Sequence, residues 1–163
     1  KNKKLPAGTF FVELIFIAEA MAPKALQVGR FLPPTPIRIL LDKSSNNLAD
    51  NVAFDAFNQQ LSAVGRQTAS KLASALQSAI HPMITSAQGM AQTKLETLRA
   101  ESLEKMQTAL GEEQARLTAL KQINPNIRDE ELSFYDKQRS ELTTYIEKAQ
   151  VKLDAIRLIV VSH

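Results

Sequence analysis

Between Ala87 and Ile123 nearly every residue is a good helix former, and Leu95, Leu98, Leu103, Met106, Leu110, Leu117 and Leu120 recur along it as a narrow apolar seam with charged or polar flanks. A helix of roughly 37 residues runs about 55 Å, whereas a compact chain of this length has a radius of gyration of about 15 Å. Any fold containing this segment must let it project. A second helical run precedes it, from Val52, with Phe54, Phe57, Leu61, Val64, Leu72, Leu76 and Ile80 spaced mainly by threes and fours. Asp50 or Asn51 can cap its start. Pro82 lacks an amide hydrogen and crowds the preceding turn, so the pattern predicts a break or kink near His81. Asn124-Pro125-Asn126 ends the seam. Arg128 to Glu131 then opens a third helix to about Val151, with an apolar face near Leu132, Tyr135, Leu142 and Ile146.

The two ends of the chain read differently. Phe10 to Ala20 alternates, placing Phe10, Val12, Leu14, Phe16, Ala18 and Ala20 on one face and Glu13 and Glu19 among Phe11, Ile15 and Ile17 on the other. This is a long strand with one face fully buried and the other half covered. Ala22 to Pro36 contains Pro23, Gly29, Pro33, Pro34 and Pro36 and reads as an excursion between strands. Ile37 to Asp42 is a second strand, antiparallel to the first, closed by the polar turn Lys43 to Asn47. Ile156 to Val161 is apolar on both faces apart from Arg157, a pattern that predicts a central strand.

These segments specify an α+β class: a small mixed or antiparallel three-stranded sheet carrying a long inserted helical hairpin or three-helix arm. Residues 1–163 are read as a single domain fragment, with strands and connector in 1–50, the helical arm in 51–152 and a closing strand in 153–163. The absence of an initiator Met at Lys1 fits a piece of a longer chain.

Composition narrows the chemistry. The chain has no cysteine, which removes disulfide scaffolds, thiolate zinc sites and cysteine nucleophiles together and suits a reducing compartment. None of the five glycines is followed by lysine, so no phosphate-binding P-loop exists. The longest apolar stretch, Phe10 to Ala22, is interrupted by Glu13 and Glu19 and falls short of the ~20 apolar residues of a membrane helix. The expectation is a soluble, cytoplasmic, non-enzymatic protein. Its net charge of +3 comes mostly from Lys1, Lys3 and Lys4, a basic start rather than the stripe that phosphate backbones require.

Candidate sites are few. His81 has no acidic residue on neighbouring turns, and the other histidine is terminal His163, so a helix-end histidine is the simpler reading than a metal ligand. Glu112 and Glu113 are adjacent on a helix and point apart, which does not make a catalytic carboxylate pair. Ser44 and Ser45 lack an identifiable base. Pro33 to Pro36 matches the minimal spacing of a polyproline ligand but also serves as a stiff connector. Lys24, Arg30, Phe31 and Arg38, around that connector, form the candidate exposed interaction patch. No catalytic, cofactor-binding or metal residue is assigned.

Several stretches carry a resemblance: Leu5 to Gln27 (LPAGTFFVELIFIAEAMAPKALQ), Arg30 to Lys43 (RFLPPTPIRILLDK), Asn46 to Ala49 (NNLA), Asn124 to Leu132 (NPNIRDEEL) and Leu153 to His163 (LDAIRLIVVSH). They resemble the C-terminal region of the RapA family of bacterial RNA polymerase-associated proteins, SWI/SNF-type ATPases. The resemblance covers essentially the whole chain and is most specific at the two ends and around Asn124. It implies a parent that hydrolyses ATP with magnesium in two helicase-like lobes, translocates on DNA, binds core RNA polymerase and promotes polymerase recycling. None of that ATP chemistry maps onto this sequence. The implied role is a non-catalytic domain that docks on core RNA polymerase or on the parent's ATPase lobes. The competing reading is a nucleic-acid contact module using Lys3, Lys4, Lys24, Arg30 and Arg38, and self-association through the exposed seam is a third expectation. The docking reading further predicts that Ala87 to Asn124 can be removed without unfolding the sheet.

Overall fold

Three strands, β1 (Phe10–Glu19), β2 (Thr35–Leu41) and β3 (Gln150–Val160), form one antiparallel sheet in the order β2-β1-β3. The computed structural model describes residues 5–162, so Lys1, Lys3, Lys4 and His163 lie outside the described residues. The helices are α1 (Phe54–Asn58), α2 (Arg66–Ile123) and α3 (Asp129–Glu147). The α+β class with two strands from the start and one from the end is as the sequence predicts.

The described residues divide into two compact units. The first contains residues 5–17, 36–92 and 152–162. In it the alternation of β1 is realised: Phe10, Val12, Leu14 and Phe16 are buried on one face, and Ile37, Ile39 and Leu41 of β2 share that face by register. The turns of α2 that follow Pro82 contribute Met83, Ala87 and Ala91 to the buried set, one residue per helical turn, whereas none of residues 66–82 is buried. On the other face Phe11, Leu40 and Ile159 form a cluster, packed by Leu48, Ala49, Val52, Phe57, Leu61 and Val161. The ring of Phe57 meets that of Phe11 edge-on, centroids 6.4 Å apart. Gly8 shapes the entry to β1: at φ 81° it sits in a turn closed by Thr9 N–H donating to the Pro6 carbonyl (3.1 Å), and its own N–H reaches the Val161 carbonyl (2.9 Å).

The second unit contains residues 18–35 and 93–151. Leu95, Met106 and Leu110 of α2 and Leu142 and Ile146 of α3 are buried there, as are Leu26, Phe31 and Leu32 of the connector. The connector is built of two 3-10 turns, Lys24–Leu26 and Val28–Arg30, joined by Gln27 at φ 49°, and both pack on α3. Between the helices Asn124 folds the chain back through an Asx turn, its side-chain oxygen accepting from Asn126 N–H (3.1 Å). Glu131 accepts from the Arg128 N–H (3.0 Å), fixing the first turn of α3, whose acidic residues Asp129, Glu130 and Glu131 suit the positive helix end.

Four expectations change. β3 is an edge strand, not a central one: β1 holds the centre of the sheet, and residues 152–156 are all exposed. Apolar side chains on both faces arise here on a strand with one open side. The run from Val52 is not one helix. α1 stops at Asn58, because Phe57 and Leu61 are drawn onto the Phe11 cluster and the chain then runs irregularly to Gly65. The third helix ends at Glu147 rather than near Val151, since Gln150 already belongs to β3.

Finally, α2 runs unbroken through Pro82 for 58 residues. Its buried residues Met83, Ala87 and Ala91 hold the turns beyond the proline, while Ser78, His81 and Pro82 itself are exposed, so the carbonyl deprived of its donor can turn to water. Pro82→Ala restores that donor at an exposed site and is expected to raise stability by about 1 to 3 kcal/mol. Urea unfolding of the two proteins checks it, with a higher midpoint for the variant as the expected result.

Candidate interaction site

The candidate residues of the connector do not form one exposed patch. Phe31 is only 4% exposed and belongs to the core of the second unit. Arg30 lies over its ring at 5.1 Å and pairs with Glu113 of α2 at 2.6 Å, both partners partly exposed. Lys24 is exposed. Arg38 belongs to the other unit and is committed to structure. The apolar context that suggested a recognition aromatic is the context of a core residue. The segment Ala87 to Asn124 includes Ala87 and Ala91, which are fully buried in the unit that holds most of the sheet.

Arg38 belongs to a charge cluster that the sequence reading did not find. Glu13, 3% exposed at the centre of β1, accepts from Arg38 Nε of β2 at 2.7 Å and from Arg157 Nε of β3 at 2.8 Å. A second Arg157 nitrogen also reaches the same carboxylate oxygen. Arg38 additionally donates to the carbonyls of Ala49 and Val52. Both guanidinium groups lie near the ring of Phe54, at 5.4 and 5.9 Å. One carboxylate thus ties three strands in a single register. Glutamate in the apolar interior of the strand was the available signal; its partners were 25 and 144 residues away. The cluster is held together by its own ion pairs, with Arg38 Nη2 buried and lacking a hydrogen-bond partner among the described residues, and is a structural clamp.

A more accessible site lies at the turn between α2 and α3. Ile123 is 81% exposed, Phe134 58% and Leu120 41%. An open groove of about 740 Å³ is lined by Leu117, Asn126, Arg128, Glu130, Glu131, Phe134 and Tyr135. A smaller one of about 290 Å³ runs beside it along Leu117, Leu120 and Tyr135. The leucine seam buries Met106 and Leu110, leaves Leu117 half-buried and exposes Leu120 here, where α3 starts with polar residues. The Phe134 and Tyr135 rings meet at 6.2 Å, nearly perpendicular.

Polar contacts hold this tip rigid. Lys121 pairs with Asp129 across the turn. Farther along, Gln114 Nε2 donates to the Leu132 carbonyl (3.0 Å), while its oxygen accepts from Arg139 (2.6 Å). Asp136 receives Arg139 and Gln114, and these hydrogen bonds hold its carboxyl below the usual aspartate range. Apolar side chains displayed on a pre-ordered turn can be covered by a partner at little entropic cost.

The chain matches the family described as RNA polymerase recycling family, C-terminal, over residues 1–161. It belongs to that family. Over 163 residues it is 52% identical to the RNA polymerase-associated protein RapA of Photobacterium profundum, an alignment that takes in 100% of this chain and 17% of that protein. The chain therefore spans about 17% of the length of this curated relative. The region matched is the family's C-terminal part and not its ATPase part. Among the described residues no helix is long and apolar enough to cross a membrane.

Proposed function

We propose that this chain is the non-catalytic docking domain of an RNA polymerase-associated, ATP-dependent DNA translocase that acts in the cytoplasm in transcription and polymerase recycling. The α2–α3 tip is its contact point. Membership of the RNA polymerase recycling family and the name of the relative supply the partner, core RNA polymerase. The observation that carries the reading is the exposure of Ile123, Phe134 and Leu120 on a turn fixed by its own polar contacts. The opposing surface should offer apolar side chains within a rim of mixed charge, to match Arg116 and Arg128 beside Glu130 and Glu131. ATP and magnesium belong to the remainder of the parent.

Ile123→Ser/Phe134→Ser is the test. Each side chain covered on docking contributes about 1.5 to 3 kcal/mol, so the double variant is expected to lose at least about tenfold in affinity for core RNA polymerase while keeping its melting temperature. Fluorescence anisotropy against polymerase and, in parallel, duplex DNA at two salt concentrations reads this out. Undiminished polymerase affinity in the folded variant would exclude the tip. Tight duplex binding that collapses with salt, in place of polymerase binding, would favour the nucleic-acid module.

A further inference from the structure

We infer that one end of a sheet face is a docking site for an acidic amphipathic helix from the part of the parent protein outside this chain, with Arg157 receiving that helix's carboxylate. The face is the one that carries Glu13. Around Phe11, Leu40 and Ile159 it is covered by Phe57 and Leu61. Beyond the clamp it is open. Ile15 and Ile17 of β1 are half-buried, while Pro36 of β2 and Ala155 and Leu153 of β3 are exposed, Leu153 at 42%. By the two-residue alternation of their strands all five share the face of Glu13, Arg38 and Arg157. Phe54, near both guanidinium groups, is itself 47% exposed. A solvated face of an antiparallel sheet ordinarily carries polar side chains, and here each of these positions is apolar. Such a patch marks a surface that is covered in the assembled protein.

Charge selects the occupant. One carboxylate faces two guanidinium groups, so the cluster carries a surplus positive charge. Arg157 gives Nε and Nη2 to Glu13, while its Nη1 has no partner among the described residues and is not buried, on a side chain 39% exposed. Asp55, next to Phe54 in sequence, forms an ion pair with neither arginine. A carboxylate arriving at Nη1 balances the cluster, two charges against two. A nucleic-acid phosphate meets the same charge but leaves Ile15, Ile17 and Leu153 uncovered, so the apolar surroundings favour a polypeptide. The element that ordinarily covers a sheet face is a helix with one apolar stripe. Its source follows from length: this chain spans about 17% of its curated relative, so most of a parent of that size lies outside it. A segment on the same chain meets the face at a high effective concentration, which a free protein does not. The inference is independent of the α2–α3 tip, whose residues belong to the other unit.

The test uses the complete parent protein without polymerase, carrying a photo-activated crosslinker at 153 or, as the control, at exposed Ser44 in the turn after β2. Position 153 is expected to link within one molecule to a peptide outside these 163 residues, of helical apolar spacing and containing Asp or Glu. Its yield should exceed that from position 44 at least about tenfold. Two substitutions at an exposed site outside the clamp then isolate the charge. Ala155→Asp sets a carboxylate two residues from Arg157 on the same face, where it takes the place of the incoming one, and should lower the yield at least about fivefold relative to Ala155→Asn, which has the same shape without the charge. Circular dichroism checks that both variants are folded. Equal yields from the Asp and Asn variants, a product confined to this chain or joining two parent molecules, a peptide without an acidic residue, or no product at 153 would overturn the inference.

Discussion

Glu13→Ala is expected to destabilise the protein by about 3 kcal/mol, near the lower end for breaking a buried ion pair, because it strands two guanidinium groups at once. Arg38 cannot replace the lost carboxylate with water easily: its side chain is 16% exposed and it is held near Phe54 by the Ala49 and Val52 carbonyls. Arg157, at 39%, can rehydrate, which keeps the cost from being higher. In a chain of this length the melting temperature should fall by roughly 6 to 12 °C. Arg157→Ala should cost less than Arg38→Ala for the same reason. Replacing Glu13, Arg38 and Arg157 together by leucine should recover much of the loss, since no charge is then left unpaired. A Glu13→Ala protein that melts with its parent would show that the clamp contributes nothing to the fold.

Leu142→Ala is expected to cost about 2 to 5 kcal/mol, the range for emptying a fully buried leucine site. Leu142 is 0% exposed on α3, in the unit that also buries Leu95, Met106, Leu110 and Ile146. The matched control is Leu120→Ala on the exposed end of the seam, expected within about 1 kcal/mol of the parent. Urea denaturation separates the two. Equal losses at Leu142 and Leu120 would contradict the placement of the second core, because the seam would then be uniformly buried or uniformly open. Hydrogen exchange adds a local readout, with protection in Leu142→Ala falling first along α3.

Periodicity made the framework legible. The alternation of Phe10 to Glu19 and the three- and four-residue spacing around Met106 and Leu110 each report a buried face, and buried faces are what those patterns encode. What the sequence concealed depended on distant partners. Ile156 to Val161 is apolar enough for a central strand, yet one side of β3 has no neighbouring strand among the described residues, so its composition misreports its position. Pro82 carries a local breaking tendency that the packing of Met83, Ala87 and Ala91 overrides. Phe31 beside Arg30 looks like a recognition aromatic until the connector folds and buries it. The Glu13 clamp needed the register of all three strands, which no local pattern contains. The tip was legible only in part: the Asn124-Pro125-Asn126 turn is explicit in the sequence, whereas the exposure of Phe134 and Ile123 is set by where α3 begins.

Docking through the α2–α3 tip is tested most directly by placing a photo-activated crosslinker at 134 and, separately, at exposed Ala73 near the start of α2, in the complete parent protein bound to core RNA polymerase. The account predicts a covalent polymerase adduct from position 134 and none from position 73. An adduct from position 73 alone, or from neither position while the complex remains intact, would contradict it.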